Sequence, residues 1–193
     1  IPGNKKLNRY QQTLLNSGGE NDTPSRQLGR FIHRISQKYI DSLAVNMIYR
    51  KDRYGQKGDH LPFLEYGYPA IRISQLTEKY GRHDQDVRAE EDKQYSDLTT
   101  FINFKYVTNI TKLNSATLAS LADAPASPQG VEIIVEDTHS DTKLKWEPNQ
   151  EPDLKGYKIV WRRSSEPYWQ HSKFVGDTLA YRLKGVPRDD FIF

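Results

Sequence analysis

Two patterns of apolar and polar positions divide this chain. In the first part, Leu28, Phe31, Ile32, Ile35 and Tyr39 recur at helical spacing and make one apolar stripe, which predicts a helix. Its start is marked by Asn21-Asp22-Thr23-Pro24. Asp22 or Thr23 can accept from free backbone N–H groups, and proline suits the first helical position, where no N–H is needed. Arg26, Arg30, Arg34 and Lys38 fall between the apolar positions and read as a solvated face. Phe104, Val107, Ile110, Asn114, Leu118 and Leu121 predict a second helix over residues 103–121 with that face buried. Short apolar runs at 45–49 and 70–74 read as buried strands, and residues 61–66 as one helical turn stopped by Gly67. Residues 1–19 are polar and end in Asn16-Ser17-Gly18-Gly19, a turn or loop signal. Residues 75–97 are polar without periodicity, and loops of that length in compact domains are usually functional or disordered.

After residue 122 the pattern changes. Residues 123–130 carry Pro125, Pro128 and Gly130 and have linker composition. Beyond them, runs at 131–135, 143–146 and 156–162 are strand-like, with Tyr157, Ile159 and Trp161 alternating onto one face. Pro148-Asn149, Pro152-Asp153 and Glu166-Pro167 supply the turns between runs, which suggests a β-sandwich with Trp146, Tyr157 and Trp161 in its core. Tyr168 and Trp169 alone are no basis for a sugar-binding platform. Two strands and two helices over residues 1–122 do not close an α/β domain, because a sheet covered on both faces needs more strands. The expectation is therefore the last part of such a domain, then the linker, then a truncated sandwich over 131–193.

Composition removes several classes. Of 193 residues, 36% are hydrophobic and 27% charged, and 12 Tyr, 7 Phe and 3 Trp argue against wholesale disorder. The net charge of +3 is spread without a block of like charges, so no nucleic-acid partner is expected. No cysteine is present, which excludes disulfides and thiolate metal ligands. No apolar run approaches the roughly 20 residues that a membrane span requires.

Candidate chemistry concentrates in residues 58–88. Asp59 stands beside His60 ahead of the helical turn, and the strand at 70–74 leads into a polar loop with Tyr80, His83, Asp84 and Asp86. A second His/Asp cluster at a strand's carboxyl end is the pattern of a site at the edge of an α/β sheet. Imidazole and carboxylate are the donors zinc takes in a cysteine-free protein. A His near an Asp is also a pair that fixes a tautomer, and a His in a polar loop is more often only solvated. For His60, a loop clamp with Asp59 accepting from its ring N–H is preferred over direct catalysis. The Tyr80 hydroxyl can donate to a developing oxyanion, or its ring can pack on the sheet edge. Phe63 and Tyr66 fit the core or an apolar specificity pocket. His33, His139 and His171 read as surface residues.

GENDTPSRQLGRF (residues 19–31), GDHLPFLEYGYPAIRIS (58–74) and HDQDVR (83–88) together resemble the co-catalytic zinc aminopeptidases of clan MH. These are the bacterial secreted leucyl-aminopeptidase type, related to glutamate carboxypeptidase and glutaminyl cyclase. Asp59-His60-x-x-Phe63 followed by Gly67-x-Pro69-Ala70 is the most specific part. The linker with TKLKWEPNQEPDLKGYKIV (142–160) resembles a fibronectin type III-like module. The resemblance implies an α/β fold: the C-terminal part of a three-layer αβα zinc-peptidase domain, followed by an incomplete fibronectin type III-like sandwich.

It further implies two zinc ions about 3.5–4 Å apart, held by two His, a bridging Asp, a Glu and a further Asp, with a second Glu as general base. Of these only the last His falls within this chain, and His83, with Asp86 three residues on, is the candidate. The family places its His two residues before that Asp, where this chain has Asp84. Three readings stay open: the loop absorbs one residue, Asp84 supplies an oxygen ligand, or one metal is held poorly. Asp59, His60, Phe63 and Tyr80 would line the substrate pocket. The substrate would be a peptide cut at its N-terminal bond by metal-activated water, in an exported (secreted or periplasmic) bacterial protein, and the chain alone would be inactive. The alternative is a non-catalytic pseudo-peptidase or a module that binds protein or glycan.

Overall fold

The computed structural model describes residues 7–52, 58–83, 85–135 and 140–193, and the chain divides into two compact units, Ile1–Ala122 and Asp123–Phe193. The first unit runs β1 (Gln12–Asn16), α1 (Pro24–Tyr39), β2 (Ala44–Ile48), α2 (His60–Glu65), β3 (Arg72–Gln75), β4 (Arg88–Glu90), β5 (Lys93–Tyr95) and α3 (Phe104–Ala122). β1 is the middle strand of a three-stranded sheet, parallel to β2 and antiparallel to β3.

β1 lies in a stretch whose sequence reads as loop, and its polar residues are the reason. Thr13 and Asn16 are fully buried. The Thr13 hydroxyl donates to the Ser74 carbonyl at 2.8 Å and lies 3.0 Å from the Tyr106 hydroxyl, so the strand tolerates it. Around β1 the core gathers Leu15, Ile32, Ile35, Val45, Tyr106 and Leu113.

α1 starts at Pro24 with Thr23 as its cap, the Thr23 side chain accepting from the Arg26 N–H at 3.4 Å. Its cations depart from the expected solvated face. Arg26 and Arg30 are each only 5% exposed. Arg26 donates to the Gly19 carbonyl at 3.0 Å and lies over the Tyr49 ring, 4.4 Å from its centroid. Arg30 donates to the carbonyl of Asn21 and, at 2.7 Å, to its side-chain oxygen. Two arginines one turn apart thus satisfy the backbone of the loop that precedes their own helix. Burial pushes the Arg26 pKa down, against the pull of Tyr49 and Glu20.

The helical turn before Gly67 forms as expected, and Gly67 ends it at φ +82°, a conformation that favours glycine. The expected loop over 75–97 instead contains the β4–β5 hairpin, tied by Arg88↔Tyr95 and Glu90↔Lys93 pairing. α3 forms where expected but is rotated. Tyr106, Asn109, Leu113 and Thr117 face inward, whereas Phe104 and Leu118 are each 67% exposed and Val107 and Leu121 are exposed too. Two of the inward polar residues find partners, Tyr106 at Thr13 and Asn109 as acceptor from the Ser42 hydroxyl at 2.9 Å. Polarity therefore does not mark the wet side of this helix.

The second unit contains β6 (Glu132–Ile134), β7 (Thr142–Lys145), β8 (Tyr157–Arg163), β9 (His171–Gly176), β10 (Ala180–Leu183) and β11 (Phe191–Ile192). They form two antiparallel three-stranded sheets, ordered β10-β7-β6 and β11-β8-β9. Leu144, Trp146, Tyr157, Ile159 and Leu183 are the core, with Trp161 packed against them. Gly156, at φ +130°, allows the backbone of Gly176 to approach so closely that a Cβ would lie 2.4 Å from its carbonyl carbon. On the other face of β8, Arg162 is fully buried, donating to the Glu166 carbonyl at 2.8 Å and lying 5.4 Å from the Trp169 ring centre.

Candidate functional site

His83 follows a short 3-10 turn, Tyr80–Arg82, and its backbone N–H closes that turn onto the Tyr80 carbonyl. Its ring is exposed and meets Tyr80 edge-on, centroids 6.3 Å apart. Among the described residues no hydrogen bond holds that ring. His83 lines a cleft of about 430 Å³ together with Arg9, Lys79, Arg82 and Asp97. Ser96 shapes this edge. It is buried at φ +89°, a conformation non-glycine residues seldom adopt, and its hydroxyl donates to Asp97 at 3.0 Å.

The Asp59–His60 pair forms differently from the expectation. The His60 ring is nearly buried, and its Nε2 lies 2.7 Å from the Lys51 carbonyl. A backbone oxygen past the end of β2 therefore takes the place assigned to Asp59, which sits at the start of α2 with no capping bond. Phe63 is 58% exposed, so it does not fill the core, and Tyr66 and Tyr80 are exposed as well. His33 is half-buried and burial lowers its pKa, while His171 is exposed and stacks on Trp161.

Among the described residues, the two clusters do not line one cleft. β3 is antiparallel to β1, with Gln75 opposite Thr13, so its carboxyl end lies at the start of the parallel pair. The ligand rule for α/β sheets concerns carboxyl ends of parallel strands, which is where His60 anchors its loop. The His83 cleft is bordered instead by Arg9 and Tyr10, ahead of β1, and Asp59, His60 and Phe63 do not line it.

Among the described residues, no three His, Asp or Glu side chains converge as a metal site. A catalytic zinc takes three protein ligands and keeps a fourth position open. The described residues therefore do not compose such a site by themselves; of their four imidazoles, the one that lines the cleft is His83. Asp86 is exposed, and Asp84 and His139 lie outside the described residues.

Sequence reasoning missed one charged centre. Arg72, inside β3, is held between Asp52 at 2.6 Å and Glu78 at 3.3 Å, both carboxylates more than nine-tenths buried. An arginine set between isoleucines in a short strand is the signal for it, since a half-buried guanidinium needs partners.

The chain is similar to fungal proteins named "Probable zinc metalloprotease". One from Pyrenophora tritici-repentis is 39% identical over 181 residues, which cover 93% of this chain and 42% of that protein. One from Phaeosphaeria nodorum is 38% identical over 181 residues, 93% of this chain and 36% of the relative. One from Pyricularia oryzae is 35% identical over 187 residues, 94% and 37%. The chain thus spans about two fifths of the length of these curated relatives. They are fungal, where the motif resemblance pointed to a bacterial type. No family model matches the chain, and no solved structure matches it.

Proposed function

We propose that this chain is part of a zinc-dependent peptidase, to which it contributes His83 as one ligand. The other donors and the general base come, in this reading, from regions that the relatives have and this chain does not span. The observation that carries the reading is the similarity over 93% of the chain to proteins named as zinc metalloproteases. An imidazole at a cleft edge, its ring engaged by no hydrogen bond among the described residues, is compatible with that role. Zinc in such a site polarises a carbonyl and lowers the pKa of bound water. The finer reading is an aminopeptidase, and it rests on Asp59-His60 with Gly67-x-Pro69-Ala70. The parallel β1–β2 pair packed on α1 and the two antiparallel sheets of residues 123–193 favour the end of an αβα domain followed by a fibronectin type III-like module.

The test uses a chain extended to the length of its relatives, with bound zinc and hydrolysis of leucyl-nitroanilide measured together. His83→Ala should lower zinc affinity by at least about a hundredfold, more than loss of a partner behind a ligand costs. Unchanged zinc content in that variant removes His83 from the site. A second reading, a protein-binding pseudo-peptidase, is favoured by the three cations that His83 has for neighbours. An extended chain that binds no zinc and cleaves nothing would select it.

A further inference from the structure

The cleft beside His83 has a charge that neither a zinc site nor packing accounts for. Among the described residues Arg9, Lys79 and Arg82 face it, against one carboxylate, Asp97, which is already engaged by Ser96. Among the described residues none of the three cations has an ion-pair partner. Two of them are held in place without one. The Arg82 guanidinium lies 3.6 Å from the Phe101 ring centre. Arg9 lies 4.6 Å from the ring centre of Tyr10 and donates to its hydroxyl at 2.7 Å. The Arg82 guanidinium over its ring keeps its in-plane N–H donors for a planar anion, Arg9 keeps those it does not give to Tyr10, and both lose little freedom when that anion arrives. Part of the remaining wall is apolar: Leu98, Phe101, Ile102 and Val107 border the cleft beside the uncharged polar Gln75 and Asn103, with Ile102 and Val107 exposed.

We propose that this cleft binds the free carboxylate of a short peptide, with the apolar side chain of its last residue against Ile102 and Val107. A bare inorganic anion would use the cations and leave the apolar wall wet. An uncharged apolar ligand would leave the cations without a partner. A terminal carboxylate on an apolar residue uses both, and about 430 Å³ is enough for a ligand of a few residues. The choice of a peptide rests on the peptidase reading; the preference for a carboxylate joined to an apolar group does not.

The test is equilibrium binding to the 193-residue chain, which needs neither metal nor turnover. The probes are acetyl-leucine, acetyl-leucinamide, acetyl-glycine and inorganic phosphate. Acetyl-leucine should bind roughly tenfold tighter than its amide, because the charged acceptor makes the stronger bonds to guanidinium. Acetyl-glycine should bind several-fold more weakly than acetyl-leucine. Lys79→Gln, at an exposed position away from the core, should weaken acetyl-leucine and leave the amide unchanged. Arg82→Gln should do the same more strongly, with far-UV ellipticity checking that the variant is folded. Equal affinity for acid and amide, no saturable binding of either, or phosphate bound as tightly as acetyl-leucine would each overturn the proposal. Because the readout is binding, loss of the zinc reading through His83→Ala leaves this result standing, and the reverse also holds.

Discussion

The two units are held together by different means. In Ile1–Ala122 the deepest side chains besides Leu15 and Leu113 are polar: Thr13, Asn16 and Ser17. Of these, Thr13 joins segments far apart in sequence, meeting Ser74 and Tyr106. In Asp123–Phe193 Arg162 and Thr142 lie as deep, but the rest of the buried set is aromatic and aliphatic, Leu144, Trp146, Tyr157, Ile159 and Leu183, and neighbouring strands supply it. A buried polar group stabilises only while its partner keeps its geometry, whereas apolar contacts tolerate small shifts. The first unit should therefore be the more sensitive to single changes.

This comparison has separate optical readouts. All three tryptophans, Trp146, Trp161 and Trp169, lie in the second unit, and among the described residues all three α-helices lie in the first. The largest expected effect is Leu15→Ala, which removes a fully buried side chain beneath α1 and should cost about 3 kcal/mol. In urea the midpoint seen by far-UV ellipticity should fall while that seen by tryptophan fluorescence stays. Equal shifts in both signals would break the division drawn here.

Next in size is Arg162→Ala, which with Thr142 departs from the apolar pattern of the second unit. The guanidinium is fully buried and satisfies the Glu166 carbonyl, so truncation should cost about 2–3 kcal/mol and move the fluorescence transition. Its neighbour Arg163 is exposed, and Arg163→Ala should stay within about 0.5 kcal/mol. Similar costs for the two would show that burial of Arg162 does not carry its effect.

The same contrast explains how much was readable from sequence. In the second unit, Tyr157 and Ile159 were legible as core because period-2 alternation and burial coincide there. In the first, the cap at Thr23 and the stop at Gly67 were legible because their chemistry is local. β1 was hidden because Thr13 and Asn16 read as loop, and the inward face of α3 was misplaced because Asn109 and Tyr106 bury polar atoms on remote partners. Arg26 and Arg30 read as solvent-facing because a helical stripe does not show that a loop will fold back over it. Within the candidate site, His83 could be picked out as a residue type. The cations around it could not, since Arg9 and Lys79 are 70 positions apart along the chain and only folding makes them neighbours.

The third effect is a gain. The β4–β5 turn places Glu91 at φ 46° and Asp92 at φ 61°, left-handed conformations that cost a residue with a side chain about 1 kcal/mol or more. Tight hairpins with both central residues left-handed favour glycine at the second. Asp92→Gly should raise the stability of the first unit by roughly 0.5–1 kcal/mol, the greater flexibility of glycine in the unfolded chain offsetting part of the relief. A loss of stability would mean that the Asp92 side chain holds the hairpin in a way its strain conceals.

The smallest effect is a pH dependence from His33, a half-buried ring on α1 whose pKa is lowered by burial. Burial disfavours the charged imidazolium in the folded state, so the unfolded chain takes up the proton first as pH falls. Stability contributed by the neutral ring is complete above the ordinary histidine value near 6.5. It then declines as pH drops toward the lower folded-state value. His33→Gln should flatten that decline in the ellipticity-monitored transition and leave the tryptophan signal of the second unit as it was. A wild-type first unit whose stability rises on acidification through this window would contradict the sign. The effect would then have to come from a histidine stabilised in its charged form.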